Sequence, residues 1–311
     1  MSPIVSPKKI AMLYGGFSAE REVSLVSGDG CAAALERLGH QVARIDVTPD
    51  IGALVQRLID LKPDVVFNAL HGRFGEDGCV QGLLNLLKIP YTHSGVMASA
   101  LAMDKPMAIR LFRQAGLPCA DSVVVRLADL VDGVDPLPRP FVLKPTNEGS
   151  SVGVHILQIG DNRSLGEVLG ADWPPDALIM VEAYIPGREV QVAVMGEQAL
   201  GIIELRPKRL FYDYTAKYTA GVTEHLMPAP VPAAIAEQAM EIALAAHRVL
   251  GCRGVSRSDF RYNPETEQVI LLELNNQPGM TPLSLTPEIA AYRGITYEAL
   301  VQWLVDHAQT D

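Results

Sequence analysis

The chain has 311 residues, 48% of them hydrophobic and 20% charged, which is ordinary for a globular enzyme of two or three domains. Its formal net charge of -10 at pH 7 argues against nucleic acid or an anionic membrane as a partner, so any phosphate site must be locally basic. The four cysteines, Cys31, Cys79, Cys119 and Cys252, form no Cys-x-x-Cys pair and read as reduced thiols of a cytoplasmic protein. Neither a signal peptide nor an apolar run of membrane-spanning length is recognisable.

The first hundred residues alternate apolar runs with helical patterns. Strands are expected at Ile10–Tyr14, Val42–Val47, Val65–Leu70 and Ile89–Tyr91, and helices at Val23–Leu38, Ala53–Leu61 and Val80–Leu87, which is the pattern of βαβ units on a parallel sheet. Ligands of such sheets bind at the carboxyl ends of the strands, where Gly15-Gly16-Phe17-Ser18 and Leu70-His71-Gly72 fall. One helix is expected around Ala98–Gln114, ended by Gly116 and Pro118. The middle third then turns strand-rich, with Ser122–Val125, Phe141–Lys144, Val154–Ile159, Leu178–Tyr184 and Val190–Met195, and Pro136, Pro138 and Pro140 exclude a helix between the first two. Gly201–Leu205 leads into an irregular polar stretch at Arg206–Glu224, followed by a helix at Ala233–Leu250. A hairpin of Val255–Tyr262 and Val269–Leu274 and helices near Pro287–Tyr292 and Tyr297–His307 complete the chain.

Several clusters carry chemistry. Asn147 to Gly153, with Ser150 and Ser151, is a small-residue loop whose amides can approach phosphate oxygens; it also reads as a flexible hairpin turn. Lys144, on the strand before it, can reach a nucleotide phosphate as a point charge. Arg257 and Asp259 lie two apart on one strand, and Glu273 and Asn275 repeat that spacing on the next, so all four share a face. Three oxygen donors so placed suit Mg²⁺ or Mn²⁺ beside nucleotide phosphates, while a salt bridge of Arg257 to one carboxylate is the alternative. His71 reads equally as a hydrogen-bonding residue, and Glu20, Arg21 and Glu22 as acids and a base complementing a helix end. The polar aromatic run Tyr212 to Tyr218 has the character of an active-site cover.

In this order, Gly15 to Ser24, His71-Gly72 with Gly75-Glu76-Asp77-Gly78, Gly95 to Ala100 with Met103-Asp104-Lys105, Glu148 to Gly153, Tyr212-Asp213-Tyr214 with Ala216-Lys217-Tyr218, and Gln277 to Thr281 resemble the D-alanine–D-alanine ligase family. The resemblance runs from about residue 8 to the end of the chain. It implies a three-domain α/β ATP-grasp fold: an N-terminal parallel α/β domain at 1–104, then two α+β domains at 105–190 and 191–311 that clamp ATP, with a lid at 206–224. It implies ATP-dependent joining of two D-alanine molecules for peptidoglycan precursors, and two Mg²⁺ or Mn²⁺ ions. D-alanine and ATP are the partners, and a homodimer is left open.

The roles the resemblance implies follow the motifs. Lys105, Lys144 and Ser151 would meet the nucleotide phosphates, with Glu182, Ile185 and Glu189 around adenine and ribose, and Lys217 on the γ-phosphate. Asp259, Glu273 and Asn275 would hold the metals, with Arg257 over the transferring group. Glu20 and His71 would receive the first D-alanine; Gly279, Ser284 and Leu285 would receive the second. Ser150 and Tyr218 would link to Glu20 and close the site. Three positions depart from the family pattern: Ala183 stands where a lysine is usual, His93 where a glycine is, and Asn276 where a threonine is.

Overall fold

The computed structural model describes residues 6–130, 135–147, 153–161, 163, 167–168, 173, 176–207 and 222–311. Strands β1 (Lys9–Gly15), β2 (Gln41–Val47) and β3 (Val65–Asn68) form a parallel sheet in the order β2-β1-β3. Helices α1 (Arg21–Arg37) and α2 (Ile51–Leu61) cover opposite faces of it. Ile10 and Met12 pack with Cys31 and Leu35 of α1, whereas Ala11 and Leu13 pack with Leu54 and Leu58 of α2. Burial on both faces is why β1 reads as an unbroken apolar run.

The expected fourth strand at Ile89–Tyr91 is reduced to one parallel bridge, Val66↔Tyr91. Tyr91 turns instead to the end of the chain through an antiparallel bridge to Gln309. Helix α3 (Cys79–Leu87) precedes it. The single helix expected at Ala98–Gln114 is two, α4 (Val96–Met103) and α5 (Lys105–Gln114). Asp104 breaks it at an extended backbone, and its side chain caps α5 by accepting from Met107 N at 3.0 Å. Pro106, with no N–H to give and φ preset for a first turn, belongs at such a start.

The second sheet contains β4 (Ser122–Arg126), β5 (Phe141–Pro145), β6 (His155–Leu157) and β7 (Leu178–Ala183), all antiparallel, in the order β4-β7-β5-β6. The short helix α6 (Leu127–Leu130) leaves β4, so a helix does occur in the connection expected to exclude one; it ends before Pro136, and its Leu127 and Leu130 pack with Phe141, Leu143, Ile179 and Val181. The third sheet, β10-β9-β8-β11-β12, contains β8 (Arg188–Met195), β9 (Gln198–Pro207), β10 (Thr223–Leu226), β11 (Val255–Asn263) and β12 (Gln268–Asn275).

Helix α7 (Ala233–Val249) packs Ala239, Ile242 and Ala243 against Val190, Val192 and Phe260 on one face of that sheet. The opposite face carries Gln191, Arg257, Asp259 and Glu273. Helices α8 (Leu285–Tyr292) and α9 (Tyr297–Asp306) return to the first sheet, where Leu285, Ile289, Leu300 and Leu304 share a core with Ile10, Met12 and Leu35. Among the described residues no helix is long and apolar enough to cross a membrane. All four cysteines are free thiols.

The polar stretch expected at Arg206–Glu224 is strand at both ends. Thr223 pairs with Pro207 and Glu224 with Arg206, so the candidate lid is the connection of a β9–β10 hairpin. Most of it, with Lys217 and Tyr218, lies outside the described residues, as do Ser150 and Ser151.

Candidate active site

The β11–β12 ladder sets Arg257 opposite Asn275 and Asp259 opposite Glu273. Directly paired residues of an antiparallel ladder point to the same side, so the period-two spacing in the sequence becomes one polar face. Arg257 grips Asp259 with two parallel bonds, Nε to Oδ1 at 2.8 Å and Nη2 to Oδ2 at 3.1 Å. Asp259 is buried. The salt bridge expected as the alternative is therefore present, and it engages both oxygens of the carboxylate.

Two lysines converge on these acids. Lys105, at the start of α5, places Nζ 3.6 Å from Glu273 Oε2, and its backbone N–H donates to Thr146 O at 3.1 Å. Lys144 forms a short ion pair with Glu182 on the neighbouring strand. Val142 pairs directly with Glu182, and Lys144 lies two residues on along β5, a diagonal neighbour on the same face. Burial pulls the Lys144 pKa down, but Glu182, Glu273 and Asp259 together outweigh it and hold it above the ordinary lysine value. The ammonium is therefore fixed as a cation within the field of all three carboxylates.

The donor set suits a hard divalent cation: two carboxylates and the amide oxygen of Asn275. Among the described residues no cluster of three or more His, Cys, Asp and Glu could hold a metal, so the set depends on that amide. Gln191, opposite Asp259 on β8, supports the fit. It is 1% exposed, and neither atom of its amide has a hydrogen-bond partner among the described residues. A buried amide left without partners is what a site looks like when its remaining polar contacts arrive with a ligand.

Loops at the carboxyl ends of β1 and β3 form the adjoining wall. Ser18 Oγ donates to His71 O at 2.7 Å and accepts from Glu20 N at 3.2 Å. Gly72 has φ 71°, and a Cβ there would meet Glu20 Oε2 at 2.9 Å, so the loop closes on Glu20 only with glycine at this position. Glu20 is at the N-cap of α1 without a side-chain capping hydrogen bond, so at that helix end it acts through its charge alone. His71 is buried, with Nε2 3.4 Å from Ser27 Oγ and Nδ1 3.9 Å from Glu76 Oε2.

On the third side, Gly279 approaches Ser284 so closely that a Cβ would lie 2.8 Å from Ser284 Oγ. Ser284 is the N-cap of α8, and its Oγ accepts from Thr281 N at 2.9 Å. The Leu285 side chain belongs to the core, which leaves only its backbone to face a ligand. Beyond β8, Arg261 donates to Ile185 O at 3.1 Å and Gly187 O at 2.6 Å and lies 3.8 Å from Glu189 Oε2. Arg261 and Gln191 were missed in the sequence. Extending the alternation of Arg257 and Asp259 by two residues would have reached Arg261.

Two departures acquire a structural account. His93 adopts φ 69°, the left-handed backbone for which glycine is the usual choice, and its buried ring meets Phe67 edge-on. Burial lowers its pKa to about 3, which keeps the ring neutral. Asn276 donates to Ser99 Oγ at 2.9 Å and so ties the end of the hairpin to α4. Nothing in the structure explains Ala183.

The family models described as D-ala D-ala ligase N-terminus and C-terminus match residues 53–94 and 111–306. A D-alanine–D-alanine ligase of Paramagnetospirillum magneticum is 54% identical over 309 residues, covering 98% of this chain and 99% of the relative. One from Parvibaculum lavamentivorans is 53% identical over 309 residues, covering 98% of each chain. The crystal structure of D-alanine–D-alanine ligase from Bacillus anthracis complexed with ATP has a TM-score of 0.80 at 31% identity, covering 97% of each chain. VanG D-Ala:D-Ser ligase from Enterococcus faecalis has a TM-score of 0.80 at 28% identity, covering 97% of this chain and 99% of the other. On the fold, the site and these relatives together, the chain belongs to the D-alanine–D-alanine ligase family.

Proposed function

We propose that the protein joins two D-alanine molecules into D-alanyl-D-alanine, with ATP converted to ADP and phosphate. The observation that carries this reading is the pairing of Asp259 with Glu273, with Lys105 beside Glu273 and Lys144, paired with Glu182, in the field of both. A carboxylate oxygen of the donor attacks the γ-phosphorus and ADP leaves, giving an acyl phosphate. The amine of the acceptor then attacks the acyl carbon, phosphate leaves, and the amine gives up a proton.

In this reading Lys105 and Lys144 hold the triphosphate, and Ser151 adds to the loop over it. Glu182, Ile185 and Glu189 flank the nucleoside, and Lys217 reaches the γ-phosphate. Asp259, Glu273 and Asn275 would hold two Mg²⁺ or Mn²⁺ ions, which when bound spread the charge of the transferring phosphoryl group. Arg257 and the Gly279 amide face the oxyanion that forms at the acyl carbon. Glu20, beside His71, takes the donor ammonium. Ser284 and the backbone of Leu285, at the N-terminal end of α8, take the acceptor carboxylate, since exposed amides and the helix dipole favour an anion there.

Residues 1–104 then bind the donor and 105–190 the nucleotide. The five-stranded sheet, which takes in all of β8 from Arg188, performs the chemistry. Four free thiols and the need for ATP support a cytoplasmic setting.

Acceptor choice tests the reading. With ATP and equal D-alanine and D-lactate between about pH 6 and 9, mass spectrometry is expected to find dipeptide as the one major product, because no histidine in Tyr212–Thr219 offers a base for a hydroxyl nucleophile. Substantial depsipeptide would refute the acceptor assignment and leave phosphoryl transfer standing.

The lid gives a second test. Tyr218→Phe and Ser150→Ala are each expected to weaken closure by about 1–2 kcal/mol, the cost of a buried hydrogen bond whose partner stays unsatisfied. If both belong to one network with Glu20, their effects on kcat/KM fall short of additive. Losses that simply sum would mean that the two residues act separately.

A further inference from the structure

Gln277 follows the catalytic hairpin and is 1% exposed, yet none of the roles above uses it. Its side chain crosses to the first sheet. Nε2 donates to Leu70 O, and Oε1 accepts from Asn68 Nδ2 at 3.0 Å. Its backbone N–H donates to Asn275 Oδ1 at 2.9 Å. Asn68 is fully buried; it donates also to Gly75 O at 2.8 Å, and its Oδ1 accepts from Leu70 N at 3.2 Å.

One residue thus touches both halves of the site. Leu70 directly precedes His71-Gly72, the loop that closes on Glu20, and Asn275 is the amide on which the metal set depends. A buried primary amide is held by its hydrogen bonds in one arrangement, because any other leaves it without partners away from water. An amide oxygen has two lone pairs; the Gln277 N–H engages one in Asn275, which orients the side chain and leaves the other for a cation.

We propose that Gln277 is a positioning residue that fixes the Asn275 amide relative to the donor loop, so that donor binding and divalent-metal binding strengthen each other. This rests on Asn275 being a metal ligand, as read above. Coupling of this kind is reciprocal: whatever D-alanine adds to metal affinity, metal adds to D-alanine affinity.

The test titrates Mn²⁺ into the full-length protein with ADP present, with and without D-alanine, following free Mn²⁺ by electron paramagnetic resonance. In the wild type D-alanine is expected to tighten Mn²⁺ binding. Gln277→Met keeps the side-chain length without the amide; it is expected to weaken Mn²⁺ about tenfold, the usual scale for a residue that orients a ligand, and to abolish the response to D-alanine. Asn68→Ala removes the partner from the other end and is expected to lose the same response, which provides a second reading should Gln277→Met fail to fold by circular dichroism.

If Mn²⁺ affinity and its response to D-alanine survive in a folded Gln277→Met or Asn68→Ala protein, the role is structural only and the proposal falls. A wild type whose Mn²⁺ affinity ignores D-alanine also overturns it. Asn275→Ala separates the two layers: unchanged Mn²⁺ binding there overturns the ligand assignment itself, and this proposal with it.

Discussion

Glu273→Gln is expected to lower the ligation rate roughly a thousandfold or more, the scale of losing a direct ligand to a catalytic metal, while the protein keeps its fold. The substitution preserves side-chain size and removes one negative charge where Lys105 and the opposing Asp259 lie. Asp259→Asn is expected to be as inactive but also less stable. Asp259 accepts both bonds of the Arg257 guanidinium, and an asparagine would turn an NH₂ toward one of those donors. That leaves a buried donor unsatisfied, at a cost of about 1–3 kcal/mol. Initial rates across a Mg²⁺ series, with thermal melting of each variant, measure both effects. Near-normal rates for Glu273→Gln at millimolar Mg²⁺ would remove Glu273 from the metal set.

Lys144→Met is expected to reduce both stability and ATP affinity. The Glu182 side chain is 2% exposed, so removing its partner strands a carboxylate in the interior, at a cost of about 3–5 kcal/mol. Glu182→Gln in the same chain removes that stranded charge. The double variant is therefore expected to recover much of its melting temperature without recovering ATP binding, because the cation facing the phosphates is still absent. Calorimetric melting and nucleotide titration separate the two losses. A single variant as stable as the wild type would mean that the pair contributes nothing to the fold.

The pH dependence of this pair follows from the raised pKa of Lys144. A group with a raised folded-state pKa contributes stability that is fully present below its unfolded value, about 10.4 for lysine, and lost as pH climbs through the folded value. The Lys144 contribution is therefore expected to stay constant across neutral pH and to disappear only in strong alkali.

Period-two spacing was enough to put Arg257, Asp259, Glu273 and Asn275 on one face, because alternation is a property of each strand alone and an adjacent pair of strands could pair only as a hairpin. The ladder register alone decided which residues oppose each other. The βαβ rhythm likewise placed Leu70-His71-Gly72 at the carboxyl end of a strand of the first sheet. Local signals were also misjudged where they were present. Asp104 and Pro106 carried the break between α4 and α5, but apolar spacing on both sides read through it.

The amino-acid sequence by itself determined the βαβ order of β1 to β3, the polar face of the β11–β12 hairpin and the motifs of the family, since each is written in spacings of a few residues. Only the tertiary structure decided that Lys144 pairs with Glu182, that β10 extends the third sheet beyond β9, that α8 and α9 return to the first sheet, and that Gln277 reaches Asn68. Asn68 and Gln277 are 209 positions apart, and no local preference of the chain records such a meeting. It exists because the sheets pack in one arrangement, and burial then favours a partner for a polar side chain such as Gln277, which finds one in Asn68.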